Sequence, residues 1–273
     1  MRHLDLALLT VSAILTLGST ISAADRPAAK QVLLLSQSPD GHPPGTHEYV
    51  AGMRILAKCL QSTPGIEVQQ VRADDPWPEG PELIRKADGV VLFLSEGAKW
   101  IHEDPQRLEA FAELSSRGGG LVALHWGMGT KDAQYISGFL KLFGGCHGGP
   151  DRKYKVLDAA VEVAQPDHPI SRGIEDFKIH EEFYYQLKFV DAETKLKPIL
   201  QTTVDGSRET VAWAWERGDG GRSFGYSGGH FHDNWGRTEY QRLMAQAVLW
   251  TLKLPVPDKG LEVQLSDQDL LLK

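Results

Sequence analysis

Cysteine is scarce in this chain of 273 residues, which contains only Cys59 and Cys146. The surroundings of these two residues argue against a disulfide scaffold, because Cys59 falls in a helical pattern and Cys146 in a glycine-rich loop. A single bond between them is the disfavoured alternative. A catalytic thiol at Cys146 is disfavoured further, because no sharp strand-to-helix turn precedes it.

Other signatures are also missing. Lysine and arginine are scattered and the net charge is -7, so the sequence lacks the basic footprint of a nucleic-acid-binding protein. It contains no His-Glu-x-x-His motif and no Cys-x-x-Cys pair, two common zinc signatures. No internal repeat or low-complexity linker divides the chain. We therefore expect one domain over residues 30–253, followed by a tail over 254–273 that forms a surface strand or arm.

Residues 1–24 have the pattern of a secretory signal peptide. Arg2 and His3 give a positive start, an apolar run extends over 6–17, and the small residues at 22–24 offer a cleavage site. The apolar run is too short and too interrupted to span a bilayer well, although an uncleaved anchor is the alternative. We expect an exported protein, periplasmic or secreted, that does not contact a membrane after cleavage.

Strand and helix patterns alternate through the first half of the chain. Strands are predicted over 31–36, 66–71 and 89–94, with a fourth that ends at His125; helices are predicted around Met53 and over 105–117 and 133–143. This alternation predicts an α/β fold with a doubly wound, mainly parallel sheet. Additional strands follow in the C-terminal half, over 155–164, 182–190, 196–203, 210–216 and 223–227, before a terminal helix over 237–252.

The stretch that ends at His125 is the most informative part of the sequence. Ala123, His125 and Gly127 have the spacing of a nucleophile elbow, in which small residues flank a reactive side chain on a sharp turn. In an open α/β sheet, ligands bind at the carboxyl ends of the strands. His125 is therefore a candidate functional residue, and the alternative is a buried histidine bonded to the backbone.

Histidine and glutamate are concentrated in loops next to other predicted strands. Imidazole transfers protons near neutral pH and is a common ligand of divalent metals. His230 and His232 are two apart, so on an extended chain both can face one ion. Strand alternation places either Glu181 or Glu182 inward, where a carboxylate is costly unless it is paired or binds a cation.

Several motifs together resemble the ThuA-like, or trehalose-utilisation, family of the class I glutamine-amidotransferase-like superfamily. The resemblance spans about residues 30–253. It is carried by 118–126, 143–147, 167–174, 181–184 and 228–230, followed by the terminal helix that contains Trp250.

The resemblance implies a flavodoxin-like sheet and a carbohydrate-active enzyme. Proteins of this family look like partners of sugar oxidoreductases that produce 3-keto-glycosides. The expected reaction is cleavage or isomerisation of such a sugar: the ketone acidifies the neighbouring C2–H, a base removes the proton, and an enediolate forms. A divalent metal such as zinc is the candidate cofactor, and the expected partner is a small carbohydrate. Homo-oligomers are left open.

The site implied by the resemblance consists of His125, His147, Glu182 and His230, with His47 from the first loop. The predicted roles are catalytic for His125, Glu182 and His230; substrate-binding for Trp126, Tyr184 and His47; and metal-binding for His147, His230 and His232. Glutaminase chemistry is disfavoured, because the superfamily forms its thioester with a cysteine where this chain has His125.

Two other functions compete with this prediction. The first is a non-catalytic sugar-binding protein, in which Trp126, Trp213 and Trp215 would matter more than the histidines. The second is a metal-dependent hydrolase of another small substrate. His42, His102 and His168 are interpreted as solvated or turn-forming residues, as lone histidines in polar segments commonly are.

Overall fold

The computed structural model describes residues 28–191 and 195–272. The predicted signal peptide over 1–24 lies outside these residues, so export stays a prediction. Within the described ranges, no helix combines the length and the apolar character needed to span a membrane.

Strands and helices alternate in the first half, as predicted. The strands are β1 (Lys30–Ser36), β2 (Ile66–Arg72), β3 (Gly89–Phe93) and β4 (Gly120–Leu124), and the helices are α1 (Tyr49–Leu60), α2 (Gly80–Lys86), α3 (Gly97–Glu103) and α4 (Pro105–Ser116). Each of the helices α2 and α3 has only seven residues, too few to show a clear helical period in the sequence.

The second half contains one short helix, several strands and a terminal helix. In chain order they are β5 (Gly129–Thr130), α5 (Ile136–Phe143), β6 (Gly145–Gly148), β7 (Lys153–Val163), β8 (Phe177–Tyr185), β9 (Lys188–Phe189), β10 (Leu196–Val204), β11 (Ser207–Glu216), β12 (Arg222–Tyr226) and α6 (Thr238–Thr251). The predicted tail strand is absent from 254–272, where the chain forms only a 3₁₀ turn, Asp267–Leu270, and packs several apolar side chains against the core.

The main sheet has nine strands in the order β2-β1-β3-β4-β12-β11-β10-β7-β8. Strands β2, β1, β3, β4 and β12 are parallel, which gives the predicted doubly wound half. The added strands β11, β10, β7 and β8 are antiparallel. The α/β prediction with additional C-terminal strands is therefore confirmed.

Two apolar clusters cover the two faces of the sheet. Alternate residues of one strand belong to different clusters, for example Leu34 and Leu35 of β1. Cys59 lies in the first cluster and Cys146 in the second, and both are free. The sheet separates the two thiols, so no disulfide joins them.

The carboxyl ends of β1, β4 and β12 lead into the segments that contain His47, His125 and His230. Strand β8, although last in the sheet order, also reaches this place: the Tyr184 hydroxyl is 3.0 Å from His125 Nε2, and Glu181 accepts a hydrogen bond from the Gly229 amide. The antiparallel half therefore curls back towards the carboxyl ends of the parallel strands.

His168 has the structural role that its Asp-His-Pro turn suggests. Its Nδ1 accepts a hydrogen bond from the Ile170 amide at 3.3 Å and its ring packs against Trp250. Burial lowers the pKa of His168 to about 4, and the nearby Lys197 and Arg222 add to this effect.

We expect His168→Gln to reduce the acid sensitivity of folding. The depressed pKa means that the unfolded chain binds the proton first, so the stabilisation is complete above the ordinary histidine pKa of about 6.5 and is lost as the pH falls to about 4. Urea unfolding of both proteins between pH 7 and pH 4 measures this. The prediction is wrong if the wild-type protein and His168→Gln differ in free energy of unfolding by the same amount at pH 7 and at pH 4.

Candidate active site

His125 occupies the sharp turn that its sequence spacing predicts. It directly follows β4, its φ is +47°, and its side chain is fully buried. Glycines make room for the turn: a Cβ on Gly97 would lie 2.0 Å from the Gly127 carbonyl oxygen. A positive φ is uncommon for residues other than glycine, and such strained backbone is concentrated at functional sites.

The rings of His125 and His47 approach each other closely. Their Nε2 atoms are 3.0 Å apart, and His47 also has a positive φ, of +53°. The Nδ1 of His125 is 2.8 Å from the Ser227 carbonyl oxygen, and the Nδ1 of His47 is 2.8 Å from Asp40 Oδ2. These partners assign the proton of each neutral ring to Nδ1, so two Nε2 lone pairs face each other and need a proton or a cation between them.

Glu182 and His230 complete the cluster. Glu182 Oε1 is 3.7 Å from His125 Nε2 and 3.6 Å from His230 Nδ1. The ligand atoms of His47, His125, Glu182 and His230 all lie within 4.8 Å of one another. His230 Nδ1 is buried and has no hydrogen-bond partner among the described residues. Since zinc binds nitrogen and oxygen ligands at about 2.0–2.2 Å, these four groups fit one divalent ion.

Burial controls the protonation of this cluster. It lowers the pKa of His125 well below its ordinary value, and the neighbouring His47 adds to the shift. Burial also lowers the pKa of His230 to about 4 and raises that of Glu182 to about 7. The two histidines are thus neutral at pH 7, which is the form that binds metals.

Asp40, which contacts the rings of His47 and His42, is ionised. Burial alone would raise its pKa, but hydrogen bonds from His47, Tyr49 and His42 outweigh that effect and hold the pKa well below its usual range. An ionised carboxylate on the Nδ1 of a metal-binding histidine fixes the ring and makes it a better ligand. Asp40 therefore supports His47 as a ligand.

Glu181 and Glu182 are both buried, although alternation predicted only one inward carboxylate. The carboxylate of Glu181 accepts four N–H hydrogen bonds, from the amides of Glu182, Gly229 and His230 and from the side chain of Asn234. These bonds hold the loop of His230 against β8. Glu181 is therefore a positioning residue, whereas Glu182 faces the histidines.

The predicted substrate-binding residues line one cavity of about 260 Å³ above the cluster. Tyr184 stacks between His125 and His147, with ring centroids 4.4 and 3.9 Å away, and Trp126 contacts the edge of this stack. The cavity wall consists of His42, His47, Trp126, Lys131, His147, Arg152, Tyr154, Glu182 and Tyr184.

Two of the predicted metal ligands lie outside the four-residue group. His147 is part of the aromatic stack in the cavity wall. The Nε2 of His232 is 2.7 Å from the Leu270 carbonyl oxygen in the tail. The spacing argument required extended chain through both histidines, but a 3₁₀ turn begins at His232, so its side chain no longer faces the same way as that of His230.

Comparison with known proteins identifies the family. The profile described as "ThuA: Trehalose utilisation" matches residues 31–251, most of the chain. The chain belongs to the ThuA family. A search of curated proteins gave no match.

Solved structures of ThuA-like proteins share the fold. One from Bacteroides uniformis is 16% identical, with a TM-score of 0.62 over 84% of this chain and 95% of the other. One from Parabacteroides merdae is 14% identical, with a TM-score of 0.63 over 89% of this chain and 99% of the other. PurLQS from Thermotoga maritima aligns with a TM-score of 0.46 at 15% identity, over 82% and 98% of the two chains.

In this ThuA-family protein, the sharp turn after β4 presents the imidazole of His125 and no thiol. Cys146 is also unsuited to thiol chemistry, because it is fully buried and burial raises its pKa to about 12. A thiol with such a pKa stays protonated and is a poor nucleophile at neutral pH.

Sequence reasoning missed several contributors to the site. Asp40, Tyr49 and Glu181 hold the backbone or rings of the clustered histidines, and His42, interpreted as solvated, stacks on His47 at 3.7 Å. The sequence contains one signal for the first loop. Asp40, His42 and His47 come after strand β1, in the same way that His125 comes after strand β4.

We expect Glu181→Gln to destabilise the fold and Glu182→Gln to leave its stability nearly unchanged. A glutamine amide at 181 would face N–H donors of Gly229 or Glu182, and each buried donor left unpaired costs about 1–3 kcal/mol. Glu182 accepts no hydrogen bond from the described residues, and its substitution removes a buried charge. Urea unfolding of the EDTA-treated proteins compares the two, and equal losses would contradict the assignment of Glu181 as the positioning residue.

Proposed function

We propose that this protein is an exported, metal-assisted enzyme that removes the C2 proton of a 3-keto-glycoside. The observation that carries the proposal is the group formed by His47, His125, Glu182 and His230, two members of which, His47 and Glu182, line a cavity that also contains aromatic rings. Family membership supports a role in carbohydrate metabolism, and the pattern of residues 1–24 supports export.

The three histidines are suited to hold the metal. His125 is fully buried, and the Nδ1 atoms of His47 and His125 have the oxygen partners typical of metal-binding rings. A divalent metal bound there would act as a Lewis acid that stabilises negative charge developing on sugar oxygens.

Glu182 is suited to be the base. It lines the cavity, lies within 3.7 Å of two histidine nitrogens, and accepts no hydrogen bond from the described residues. Its carboxylate can take the proton from C2 while the electrons of that bond form the enediolate. As the C3 carbonyl re-forms, the electrons of the enediolate form a C1=C2 double bond, the C1–O bond breaks with its electrons going to the departing oxygen, and that oxygen takes up the proton held by Glu182.

Tyr184 is suited to bind a substrate oxygen. Its hydroxyl is 3.0 Å from His125 Nε2, and a metal occupying that nitrogen lone pair would release the hydroxyl for another acceptor. Stacking between His125 and His147 fixes the ring in place. Trp126 and Tyr184 together keep this end of the cavity apolar, which excludes water from a developing carbanion.

The metal assignment is tested by two histidines from one loop. Loss of a residue that hydrogen-bonds to a metal ligand typically weakens metal binding by roughly 10–100-fold. We expect His230→Ala, which removes a ligand itself, to weaken the binding of Zn²⁺ by more than this. His232→Ala is the matched control and should retain the metal, since His232 bonds the tail instead. Metal content after dialysis and titration with Zn²⁺ or Mn²⁺ measure both. Equal affinities in the two variants would refute the four-residue site.

The role of Glu182 is tested by hydrogen exchange. We expect Glu182→Gln to keep its metal but to lower the exchange of the C2 hydrogen of methyl 3-keto-glucoside with D₂O by roughly 10²–10⁴-fold, the typical contribution of a general base. Glu162→Gln, an exposed glutamate paired with Arg208, is the control.

Two results would redirect the proposal. Loss of the metal from Glu182→Gln would make Glu182 a ligand instead of the base. Binding of the keto-glycoside by the wild-type protein without exchange or turnover would identify a sugar-binding protein, and turnover of esters or amides alone would identify a hydrolase.

A further inference from the structure

The mouth of the cavity differs in charge from the rest of the molecule. The chain has a net charge of -7, yet the charged residues that line the cavity above Glu182 are the cations Lys131 and Arg152. A concave site lined by one sign of charge concentrates ligands of the opposite sign. Neither cation belongs to the four-residue group of His47, His125, Glu182 and His230.

Arg152 is available for a ligand. Its guanidinium lies 6.0 Å from the centre of the Trp126 ring, and its Nη1 donates to the Gly149 carbonyl oxygen at 3.1 Å. Because a guanidinium has five N–H donors, most of its donors are uncommitted. The neighbouring cations differ, since Lys131 pairs with Glu96 and Lys188 pairs with Asp151, whereas the ion pairs among the described residues include none with Arg152.

An exposed aromatic platform adjoins Arg152. Tyr154 is 60% exposed and lies opposite Tyr184 in the β7–β8 ladder, so the two rings share one face of the hairpin. Val156, 44% exposed, lies opposite Glu182 in the same ladder. Apolar surface of this kind at the rim of a pocket is typical of a binding site.

The size of the cavity requires a platform outside it. Its volume of about 260 Å³ is below the roughly 300–1,000 Å³ that drug-sized ligands occupy. One sugar ring fits at Glu182, and the remainder of a glycoside must lie at the mouth. Tyr154 and Arg152 are the groups that this second part would meet.

We propose that the substrate carries a carboxylate beyond its reacting ring, that Arg152 binds this carboxylate, and that Tyr154 supports the part of the substrate that bears it. Arginine binds carboxylates with two parallel N–H···O bonds, which gives both affinity and orientation. Lys131 contributes long-range attraction from the other side of the mouth. This inference names a substrate class for the proposed function and rests on it.

Two probes that differ in one group test the inference. We expect the metal-loaded protein to bind 4-carboxyphenyl β-D-glucoside, whose carboxylate lies beyond the sugar ring, about tenfold more tightly than 4-carbamoylphenyl β-D-glucoside, the factor expected for one charge-assisted hydrogen bond. Titration calorimetry measures both affinities. The preference should shrink as NaCl is raised, because salt screens exposed charges. Equal affinities for the two probes would overturn the inference.

Arg152→Gln should lower the affinity for the carboxylate probe to that for the uncharged probe, and an unchanged urea-unfolding midpoint shows that the variant is folded. Arg208→Gln is the control, since Arg208 is an exposed arginine that pairs with Glu162. A preference that survives Arg152→Gln but disappears from the metal-free protein would assign the carboxylate to the metal and refute the role of Arg152. Tyr154→Ala should weaken the binding of both probes by the same factor.

The failure of this inference is distinguishable from failure of the proposed function. C2 exchange measured on the same wild-type preparation reports catalysis independently of the carboxylate preference. Exchange without the preference refutes the subsite alone, and the preference without exchange refutes the keto-glycoside chemistry while the binding site stands.

Discussion

The site depends on the close approach of two imidazole nitrogens. His47 Nε2 and His125 Nε2 are 3.0 Å apart because an acceptor on each Nδ1 turns the two lone pairs towards each other. Both residues have left-handed backbone, a conformation that the surrounding structure has to enforce. Two like lone pairs in contact are unfavourable until a proton or a cation is shared between them. The arrangement is therefore poised for a positive charge at this point.

The second half of the chain adds a carboxylate and a third histidine to this pair. The backbone of the first loop bonds that of the late loop, with the His47 amide donating to the His230 carbonyl oxygen. Glu181 binds the amides of Gly229 and His230 and thereby attaches the late loop to β8. The neighbouring residue of β8 is Glu182. The two adjacent glutamates therefore differ in their surroundings: Glu181 binds the backbone of the late loop, and Glu182 faces the histidines and lines the cavity.

The sequence predicts the parallel half of the fold well, because β1, β3 and β4 each contain a continuous apolar run. It also predicts His125, since the small residues around it are needed for a sharp turn. The resemblance named Tyr184, but the contact of Tyr184 with His125 and the role of Glu181 could not be predicted, because they depend on how the antiparallel half curls back across the sheet. The prediction that His232 faces the same ion as His230 was wrong for a local reason, because a 3₁₀ turn begins at His232. Asp40 and Tyr49 act only through His47, so their function follows from contacts that no short motif records.

The position of β8 at the end of the sheet order has a consequence for dynamics. Among the described strands, β8 pairs with β7 alone, and hydrogen bonds also join it to the segment that contains Gly229 and Asn234. The β7–β8 hairpin supplies Glu182 and Tyr184, whereas the parallel half supplies His125. Opening of this hairpin would disperse the site without unfolding the parallel half. A cation or sugar that contacts both halves would bind the closed hairpin and stabilise it by mass action. Occupancy of the site and local stability of the hairpin are therefore thermodynamically linked.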